Sequence, residues 1–428
     1  MTLPLENNAV VLGLFIVTLA IIFQTASSSN KYLKGFYKYV PALLLCYFIP
    51  AIYNTLGLVS EEQSGQLYFV ASRYLLPASL VLLCLSIDIK GILNLGPKAI
   101  IMFLTATLGI VIGGPIALYF VSSFSPELLG GDSPDAIWRG LSTVAGSWIG
   151  GGANQTAMKE IAECPDTLFS AMVVVDVVVA NIWMAFLLFG AGISDKLDRF
   201  LKADNSSITE LKEKVEHYQA GIAKVATFKD LMIIGAIAFG AVGLSHLGAD
   251  IIAPALDSSI SNTLAENPGS FMRFVTSLGS GFFWLVVLAT TLGIALSFTK
   301  FRKYEGAGAS KIGSVFLYIL VATIGMKMNI LQLIKEWEIF KFIISIGLVW
   351  MLIHVIILLI VAKIIRAPFF FVAVGSQANV GGAASAPIVA SAFSPALAPV
   401  GVLLAVFGYA LGTFAAILCM ELMHALSM

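Results

Sequence analysis

Charged residues are scarce in this chain: they make up 12% of its 428 residues, against roughly 25% in a water-soluble globular protein. Hydrophobic residues make up 58%, and the mean hydropathy is +0.93. The formal net charge is zero and the chain carries no basic tail, which argues against nucleic-acid binding. This balance predicts a polytopic helical membrane protein.

Enzyme motifs are also missing. The chain contains no Walker loop, no His-Glu-x-x-His zinc motif and no nucleophile elbow. The four cysteines have neither metal-type nor redox-type spacing, so we predict packing roles for them. We expect no enzymatic activity and no resident cofactor, and an ion gradient would have to drive any transport.

Apolar blocks of about 20 residues, the span of a bilayer core, recur along the chain. Twelve are readable, at about 8–26, 36–58, 67–87, 97–123, 138–161, 166–193, 229–247, 271–300, 311–326, 337–363, 367–392 and 396–424. Between the sixth and seventh, residues 194–230 hold seven Lys/Arg and seven Asp/Glu. Ser207 and Glu210 fit a capping box there, and we predict an amphipathic surface helix that links two halves.

Loop charges predict the orientation, because cytoplasmic loops are enriched in Lys and Arg. Lys31 and Lys34 follow the first block, which places the N-terminus outside. The same rule makes 97–123 run outward and 337–363 inward, so the halves are inverted. Inversion needs an odd number of crossings between equivalent helices, whereas twelve blocks give six. We therefore predict a hidden crossing at 248–268, and a cytoplasmic C-terminus.

Two glycine-rich motifs interrupt apolar blocks at matching positions of the two halves. Residues 146–155 read Gly-Ser-Trp-Ile-Gly-Gly-Gly-Ala-Asn-Gln, and residues 375–385 read Gly-Ser-Gln-Ala-Asn-Val-Gly-Gly-Ala-Ala-Ser. Glycine weakens a helix by about 1 kcal/mol relative to alanine, and backbone groups freed in lipid must find partners. The motifs therefore predict two interrupted helices that face a cavity, a pattern typical of transporter binding sites.

Asp176 is the most informative charge, because it lies near the middle of block 166–193. An ionisable group at that depth is costly and by default marks an ion pathway or proton relay. The alternative is a protonated carboxyl group that only bonds a neighbouring helix. Offsetting Asp176 by the spacing of the two motifs reaches Ala405, so the predicted chemistry is asymmetric.

Amides and hydroxyls around the two breaks complete the predicted site. Oxygen ligands suit a hard cation such as Na⁺, and half-helix N-termini favour an anionic group. The alternative for these residues is hydrogen bonding and close packing between helices. The predicted ion- and solute-binding residues are Ser147, Gly151, Asn154, Gln155, Asp176, Asn181, His354, Ser376, Gln377, Asn379 and Gly381. Among them, Asp176, Gln377 and Asn379 are the predicted cation ligands.

The two motifs resemble those of the integral membrane proteins grouped as domain of unknown function 819, over nearly the whole chain. That family is grouped with the cation:proton antiporter and bile-acid:sodium symporter superfamily. The resemblance implies an all-α fold of about 12–13 transmembrane helices, in which two inverted repeats form panel and core domains. It implies that 138–161 and 367–392 are broken helices crossing at mid-membrane beside Asp176. Valines flank Asp176 where antiporters carry a second acidic or amide residue, a departure from the antiporter pattern.

The implied division places an N-terminal repeat at 1–193, with panel helices in 8–87 and core helices in 97–193. The linker follows at 194–230. The C-terminal repeat is 231–428, with panel helices in 231–326 and core helices in 337–424. The superfamily further implies a homodimer formed through the panel helices, in the inner membrane of a bacterium.

The leading functional hypothesis is a secondary active transporter for a small solute, an organic anion being one candidate. Na⁺ or H⁺ would supply the coupling ion, and an elevator-type displacement of the core would give alternating access. There are two alternatives. One is a cation/H⁺ antiporter that uses Asp176, and the other is a gated channel. The expected partners are the solute, the coupling cation and the lipid bilayer.

Overall fold

The computed structural model describes residues 5–37, 40, 42–126, 129–204, 206, 208, 211, 225–266, 276–327, 331, 337–394 and 397–428. Its helices are α1 (Asn8–Ala26), α2 (Lys31–Tyr37), α3 (Ala42–Thr55), α4 (Glu61–Val70), α5 (Leu76–Leu85), α6 (Ile89–Asn94), α7 (Pro97–Ser122), α8 (Ile137–Ile161), α9 (Asp166–Gly192), α10 (Ser194–Leu201), α11 (Phe228–Glu266), α12 (Gly281–Ser297), α13 (Ala309–Gly325), α14 (Trp337–Ile364), α15 (Phe369–Val380), α16 (Gly382–Phe393) and α17 (Ala398–Ser427). In the part of the chain that is described, seven spans are long and apolar enough to cross a membrane. The predicted all-α polytopic class is confirmed.

Proline marks the start of several of these helices. Pro97 occupies the first turn of α7, while Pro165 and Pro368 immediately precede α9 and α15. Proline lacks a backbone N–H and has a fixed φ, so it costs nothing at a helix start. A π-helical turn at Ala71–Leu75 joins α4 to α5 into one continuous span.

The α8 segment folds back on itself and forms a re-entrant hairpin, hereafter hairpin 1. Gly151 adopts φ 74° and ψ −172°, a conformation that glycine reaches without strain, and the helix breaks there. Arg139 at its start donates a hydrogen bond of 2.7 Å to the Ala162 carbonyl just beyond its end. An unbroken helix would separate those residues by about 34 Å. Both ends of hairpin 1 therefore lie at the same face of the protein.

Helices α15 and α16 form a second re-entrant hairpin, hereafter hairpin 2. Gly382, with φ 59°, stands at the turn between them. The rings of Phe370 and Phe393, near the two ends, have centroids 5.4 Å apart. Each arm has 12 residues and is about 18 Å long, too short for a bilayer core of about 30 Å. The predicted breaks are present, but the broken helices turn back where we expected them to cross.

The loops group at two faces. The basic face contains the Asp88–Arg302 ion pair and the Lys98–Asp204 ion pair, and the Asp204 N–H bonds the Arg366 carbonyl there. Hairpin 2 starts and ends at this face, since Asp198 accepts a hydrogen bond from the Phe369 N–H.

The opposite face contains the ends of hairpin 1. There Lys159 pairs with Asp166, and Arg73 pairs with Glu160. The two hairpins therefore enter the protein from opposite faces.

Re-entrant hairpins change the number of crossings. Three shorter apolar helices, which contain Leu44–Thr55, Gly281–Ser297 and Ala309–Gly325, add to the seven long spans. Counted with the seven long spans, these shorter helices give ten apolar spans within the described residues, five in each half, instead of the predicted 12–13. Five is odd, so the halves are inverted without a hidden helix.

The predicted crossing at 248–268 is wrong, because α11 runs unbroken through most of that stretch as one 39-residue helix. Its apolar run and its polar continuation belong to one long element that extends beyond the bilayer core.

The predicted combination of an outside N-terminus and a cytoplasmic C-terminus does not fit this fold. His424 bonds Asp132, and Asn8 bonds Gln66, so the described chain ends lie at the same, opposite face.

Of the predicted surface helix at 194–230, α10 is described, and it ends where Lys202 adopts a left-handed conformation. The predicted capping box depends on Ser207 and Glu210, which lie outside the described residues.

Helix contacts fall into two groups. One group contains α7, hairpin 1, α9, α14, hairpin 2 and α17; the other contains α1, α3 to α5 and α11 to α13. In the first group, α17 lies against both hairpins through a row of glycines. A Cβ at Gly401 would lie 2.6 Å from the backbone of Ala386 in hairpin 2. A Cβ at Gly412 would lie 2.5 Å from the Cα of Gly150 in hairpin 1.

Candidate functional site: a pocket between two hairpin tips

The tips of the two hairpins meet α9 at a pocket of about 180 Å³. Hairpin 1 contributes Ser147, Gly151 and Gly152 to its wall. The other lining residues are Asp176, Val177, Ala180, Asn181 and Met184 from α9, and Gln377, Val380, Gly381 and Ser385 from hairpin 2. The α9 residues follow successive turns toward the basic face, so the pocket extends in that direction from Asp176.

Among the described lining residues, Asp176 carries the only ionisable side chain, and hairpin 1 holds its carboxylate. Oδ2 accepts hydrogen bonds from Ser147 Oγ at 2.6 Å and Gln155 Nε2 at 3.0 Å. Oδ1 accepts one from Trp148 Nε1 at 2.7 Å. A carboxylate offers about four acceptor positions, so three donors leave one for a ligand. These three bonds hold hairpin 1 and α9 together at the Asp176 carboxylate.

Gln377 supplies the second polar group of the pocket, from hairpin 2. Its Nε2 donates to Ser385 Oγ at 2.7 Å, which ties the two arms of the hairpin together. Its Oε1 has no hydrogen-bond partner among the residues that the structure describes, and the residue is only 1% exposed. A buried unpaired acceptor costs about 1–3 kcal/mol, so a ligand that binds Oε1 would recover that energy.

Each hairpin tip also exposes backbone groups to the pocket. The second arm of each hairpin starts at the break, so its first N–H groups have no partner within the helix. The first arm ends at the same point, which leaves carbonyl oxygens free in the same way. The described lining contains no Lys, Arg or His, so an anion would have to rely on these N–H groups.

Two predicted ligands, Asn154 and Asn379, lie away from the pocket. Asn154 donates to the Gly150 carbonyl and accepts from Thr413 of α17 at 2.6 Å. Asn379 donates to the Gly375 carbonyl and accepts from Thr107 of α7 at 2.8 Å. Each amide bridges the two ends of a helical turn and anchors its hairpin to a neighbouring helix. These hydrogen bonds to neighbouring helices agree with the alternative interpretation of the sequence, in which the amides hold helices together and bind no ligand.

Ser376 and His354 belong to a separate buried network. Ser376 Oγ lies 2.8 Å from His354 Nε2 and accepts a hydrogen bond of 2.8 Å from Trp183 Nε1. This network joins α9, α14 and hairpin 2 behind the pocket, and neither residue lines it. Asn181 does line the pocket, and its Nδ2 donates to the Val177 carbonyl, which leaves its Oδ1 available.

The structure therefore gathers Ser147, Gly151, Asp176, Asn181, Gln377 and Gly381 at one pocket and places Gln155 behind Asp176. Among the predicted cation ligands, Asp176 and Gln377 share the pocket, whereas Asn379 is bonded elsewhere. Sequence reasoning did not single out Ala180 or Met184, which line the pocket one and two helical turns beyond Asp176. Their helical spacing from Asp176 was the available signal, but it does not distinguish pocket from core.

A second feature missed from the sequence lies at the opposite face. Arg73, Lys159, Glu160, Asp166 and Lys327 form a charge cluster in which Lys159 is only 5% exposed. Tyr68 Oη also bonds Glu160. The cluster joins hairpin 1 and α9, in one helix group, to helices of the other group.

Comparison with known proteins places the whole chain in one group. A family model described as "Protein of unknown function (DUF819)" matches residues 13–426. The "Uncharacterized membrane protein YjcL" of Bacillus subtilis (strain 168) is 24% identical over 370 residues, which cover 85% of each chain. The family match spans both hairpins and α9, and it confirms the family resemblance inferred from the two motifs.

Proposed function

The chain belongs to the DUF819 family of membrane proteins, and from its pocket we propose that it is a secondary active transporter. One observation supports the proposal above all: the two re-entrant hairpins enter the protein from opposite faces, and their tips meet at the buried Asp176 carboxylate. Withdrawal of either tip would open the pocket to one face only. That arrangement suits alternating access, in which a site communicates with each face in turn.

The coupling ion is a cation, Na⁺ or H⁺, and Asp176 is its principal ligand. The fourth acceptor position of Asp176, the unpaired Oε1 of Gln377 and the free Oδ1 of Asn181 offer oxygen atoms only. Oxygen ligands suit hard cations. A buried carboxylate without a basic neighbour on the pocket wall also gains stability when a cation or proton neutralises it.

The transported solute is small, because the pocket of about 180 Å³ is below the range of roughly 300–1,000 Å³ typical of drug-sized ligands. The N–H groups at the start of each second arm would bind an anionic end of such a solute. Movement of the helix group that carries the hairpins against the other group would supply an elevator-type displacement. These two groups are the proposed core and panel, and the panel is the proposed homodimer contact.

The proposed location is the inner membrane of a bacterium, with the basic face in the cytoplasm. Both chain ends then lie outside. This orientation also opens the pocket toward the cytoplasm in the described conformation.

A two-stage experiment tests the proposal. Thermal unfolding of the purified chain, with Na⁺, with pH varied and with small organic anions, identifies ligands first. Flux of the stabilising solute into liposomes is then measured with and without an ion gradient. We expect gradient-dependent, saturable uptake, and Asp176→Asn should abolish the coupling while Asp195→Asn, an exposed acid at the basic face, leaves it unchanged.

Other outcomes contradict the proposal. Conductance that does not saturate and needs no gradient indicates a channel. Na⁺-driven proton flux with no solute indicates an antiporter. Coupled uptake that survives Asp176→Asn excludes Asp176 as the coupling site.

A further inference from the structure

A second and larger cavity lies at the basic face, remote from the hairpin tips. It has a volume of about 630 Å³ and lies where α5 and α12 end, between the α5–α6 connection and the 3₁₀ turn Lys300–Glu305. Its wall carries four cationic side chains, Lys90, Lys300, Arg302 and Lys303. Transmembrane helices end on two sides of it, so the cavity lies at the depth of lipid headgroups.

The two carboxylates on this wall do not neutralise the lysines. Asp88 pairs with Arg302 at 2.5 Å and accepts the Gly91 N–H at 3.0 Å. Glu305 accepts hydrogen bonds from Ser310 Oγ and Ser310 N–H at 2.6 and 3.0 Å, and burial raises the pKa of Glu305. Both acids are therefore held by partners of their own.

The three lysines Lys90, Lys300 and Lys303 make no ion pair with any described residue. They come from two different elements and converge on one concave space. Phe298 on the same wall is 67% exposed, which gives the cavity an apolar edge beside the ammonium groups. A ligand with a phosphate group and an apolar portion satisfies both features.

We propose that this cavity binds the phosphate headgroup of an anionic phospholipid. The three ammonium groups contact the phosphate oxygens, and the acyl chains lie along Phe298 and the neighbouring helix ends. Basic pockets between transmembrane helices at the cytoplasmic side are suited to such headgroups. The site does not depend on the proposed transport activity, since no residue is shared with the hairpin pocket.

Thermal unfolding of the full chain in detergent tests this site. The probes are phosphatidylglycerol, phosphatidylcholine as the zwitterionic lipid, and inorganic phosphate at matched ionic strength. We expect phosphatidylglycerol to raise the Tm by about 3 °C at saturation and phosphatidylcholine to have no effect. The variant Lys90→Gln/Lys300→Gln/Lys303→Gln should lose that rise.

The matched control is Lys31→Gln/Lys34→Gln/Lys196→Gln, which removes three exposed lysines outside the cavity. It should keep the full response to phosphatidylglycerol. An equal rise with inorganic phosphate, lost in the cavity variant, assigns the site to free phosphate and overturns the lipid assignment. No rise in the wild type, or an equal rise in both triple variants, overturns the site itself.

Discussion

At Asp176, three donors from one hairpin converge on a carboxylate that belongs to another helix. Ser147, Trp148 and Gln155 lie on both sides of the break at Gly151, so their bonds depend on the fold-back of hairpin 1. Asp176 therefore does two things at once: it fixes the tip and offers a remaining acceptor position to a ligand. Occupation of that position by a cation changes the charge that the tip donors experience.

Gln377 gives the sharpest residue-scale prediction, because its Oε1 is buried without a partner. Gln377→Leu removes this acceptor and should weaken Na⁺ binding about tenfold, the equivalent of ~1.4 kcal/mol. The measurement is the Na⁺ concentration that gives half-maximal thermal stabilisation. Gln66→Leu, at an exposed position of the opposite face, is the control. Unchanged Na⁺ affinity in Gln377→Leu removes this residue from the cation site.

Close backbone packing gives a stability prediction. Gly412→Ala places a Cβ 2.5 Å from the Gly150 Cα, so hairpin 1 must move or strain. We expect a loss of about 1–3 kcal/mol, the usual cost of overpacking, and a lower Tm. Gly240→Ala is the matched control, because a Cβ there meets nothing within 4 Å. Equal Tm values for the two variants contradict the close approach of α17 to hairpin 1.

At the scale of helices, the charge cluster and the pocket both involve hairpin 1 and α9, but they lie at different depths. The pocket extends from Asp176 toward the basic face. The cluster ties the base of hairpin 1 to the π-helical turn Ala71–Leu75 and to the end of α13 at the opposite face. Each exposed ion pair contributes about 0.2–1 kcal/mol, but here several partly buried charges share partners. In the proposed alternating-access mechanism, we expect this cluster to act as the closed gate on the opposite side.

The gate is tested by neutralising Arg73 and Lys327, the two cations that the other helix group contributes to the cluster. Arg73→Gln/Lys327→Gln should shift the protein toward a state open to the opposite face, by about five-fold for each ~1 kcal/mol lost. The readout is labelling of Met184→Cys, in the pocket wall, by a membrane-impermeant thiol reagent applied from each side. The native cysteines are buried, so their background labelling is low.

Arg139→Gln controls for charge loss at the same face, because Arg139 bonds the Ala162 and Ser133 carbonyls rather than the other helix group. It should leave the labelling pattern of Met184→Cys unchanged. The same increase in all variants, or none in Arg73→Gln/Lys327→Gln, contradicts the gate.

For the whole molecule, two re-entrant hairpins and ten crossings put both chain ends at one face. A tag at the N-terminus and a tag at the C-terminus should therefore be accessible from the same side of oriented membrane vesicles. Cysteines introduced at Lys202 and Lys363, at the basic face, should label from the other side. If the two tags are accessible from opposite sides, the chain crosses the membrane an odd number of times. That result contradicts the two re-entrant hairpins.

Much of the local chemistry was readable from the sequence. The predicted Gly151 lies at the first break, where its positive φ suits glycine better than any other residue. The predicted Gly381 lies beside the second break, where the positive φ belongs to Gly382. Asp176 lies at the pocket, since a carboxylate in an apolar helix needs polar partners. The inversion of the two halves also followed from loop charges.

The direction of the chain after each break could not be read in the same way. A glycine that interrupts a helix permits either continuation or reversal, and only contacts such as Phe370 with Phe393 select reversal. This choice decided the number of crossings, and it made the predicted helix at 248–268 unnecessary.

Sequence by itself determined that this chain is a membrane protein, that two helices break at glycine and that Asp176 lies within an apolar helix, because composition and helix propensity act locally. Tertiary structure alone decided which amides face the pocket. Asn154 and Asn379 are satisfied by Thr413 and Thr107, more than 250 positions away, while Gln377 is left with a free oxygen. Hydrogen-bond partners of a buried amide depend on which helices lie beside it, and that is a property of the packed fold.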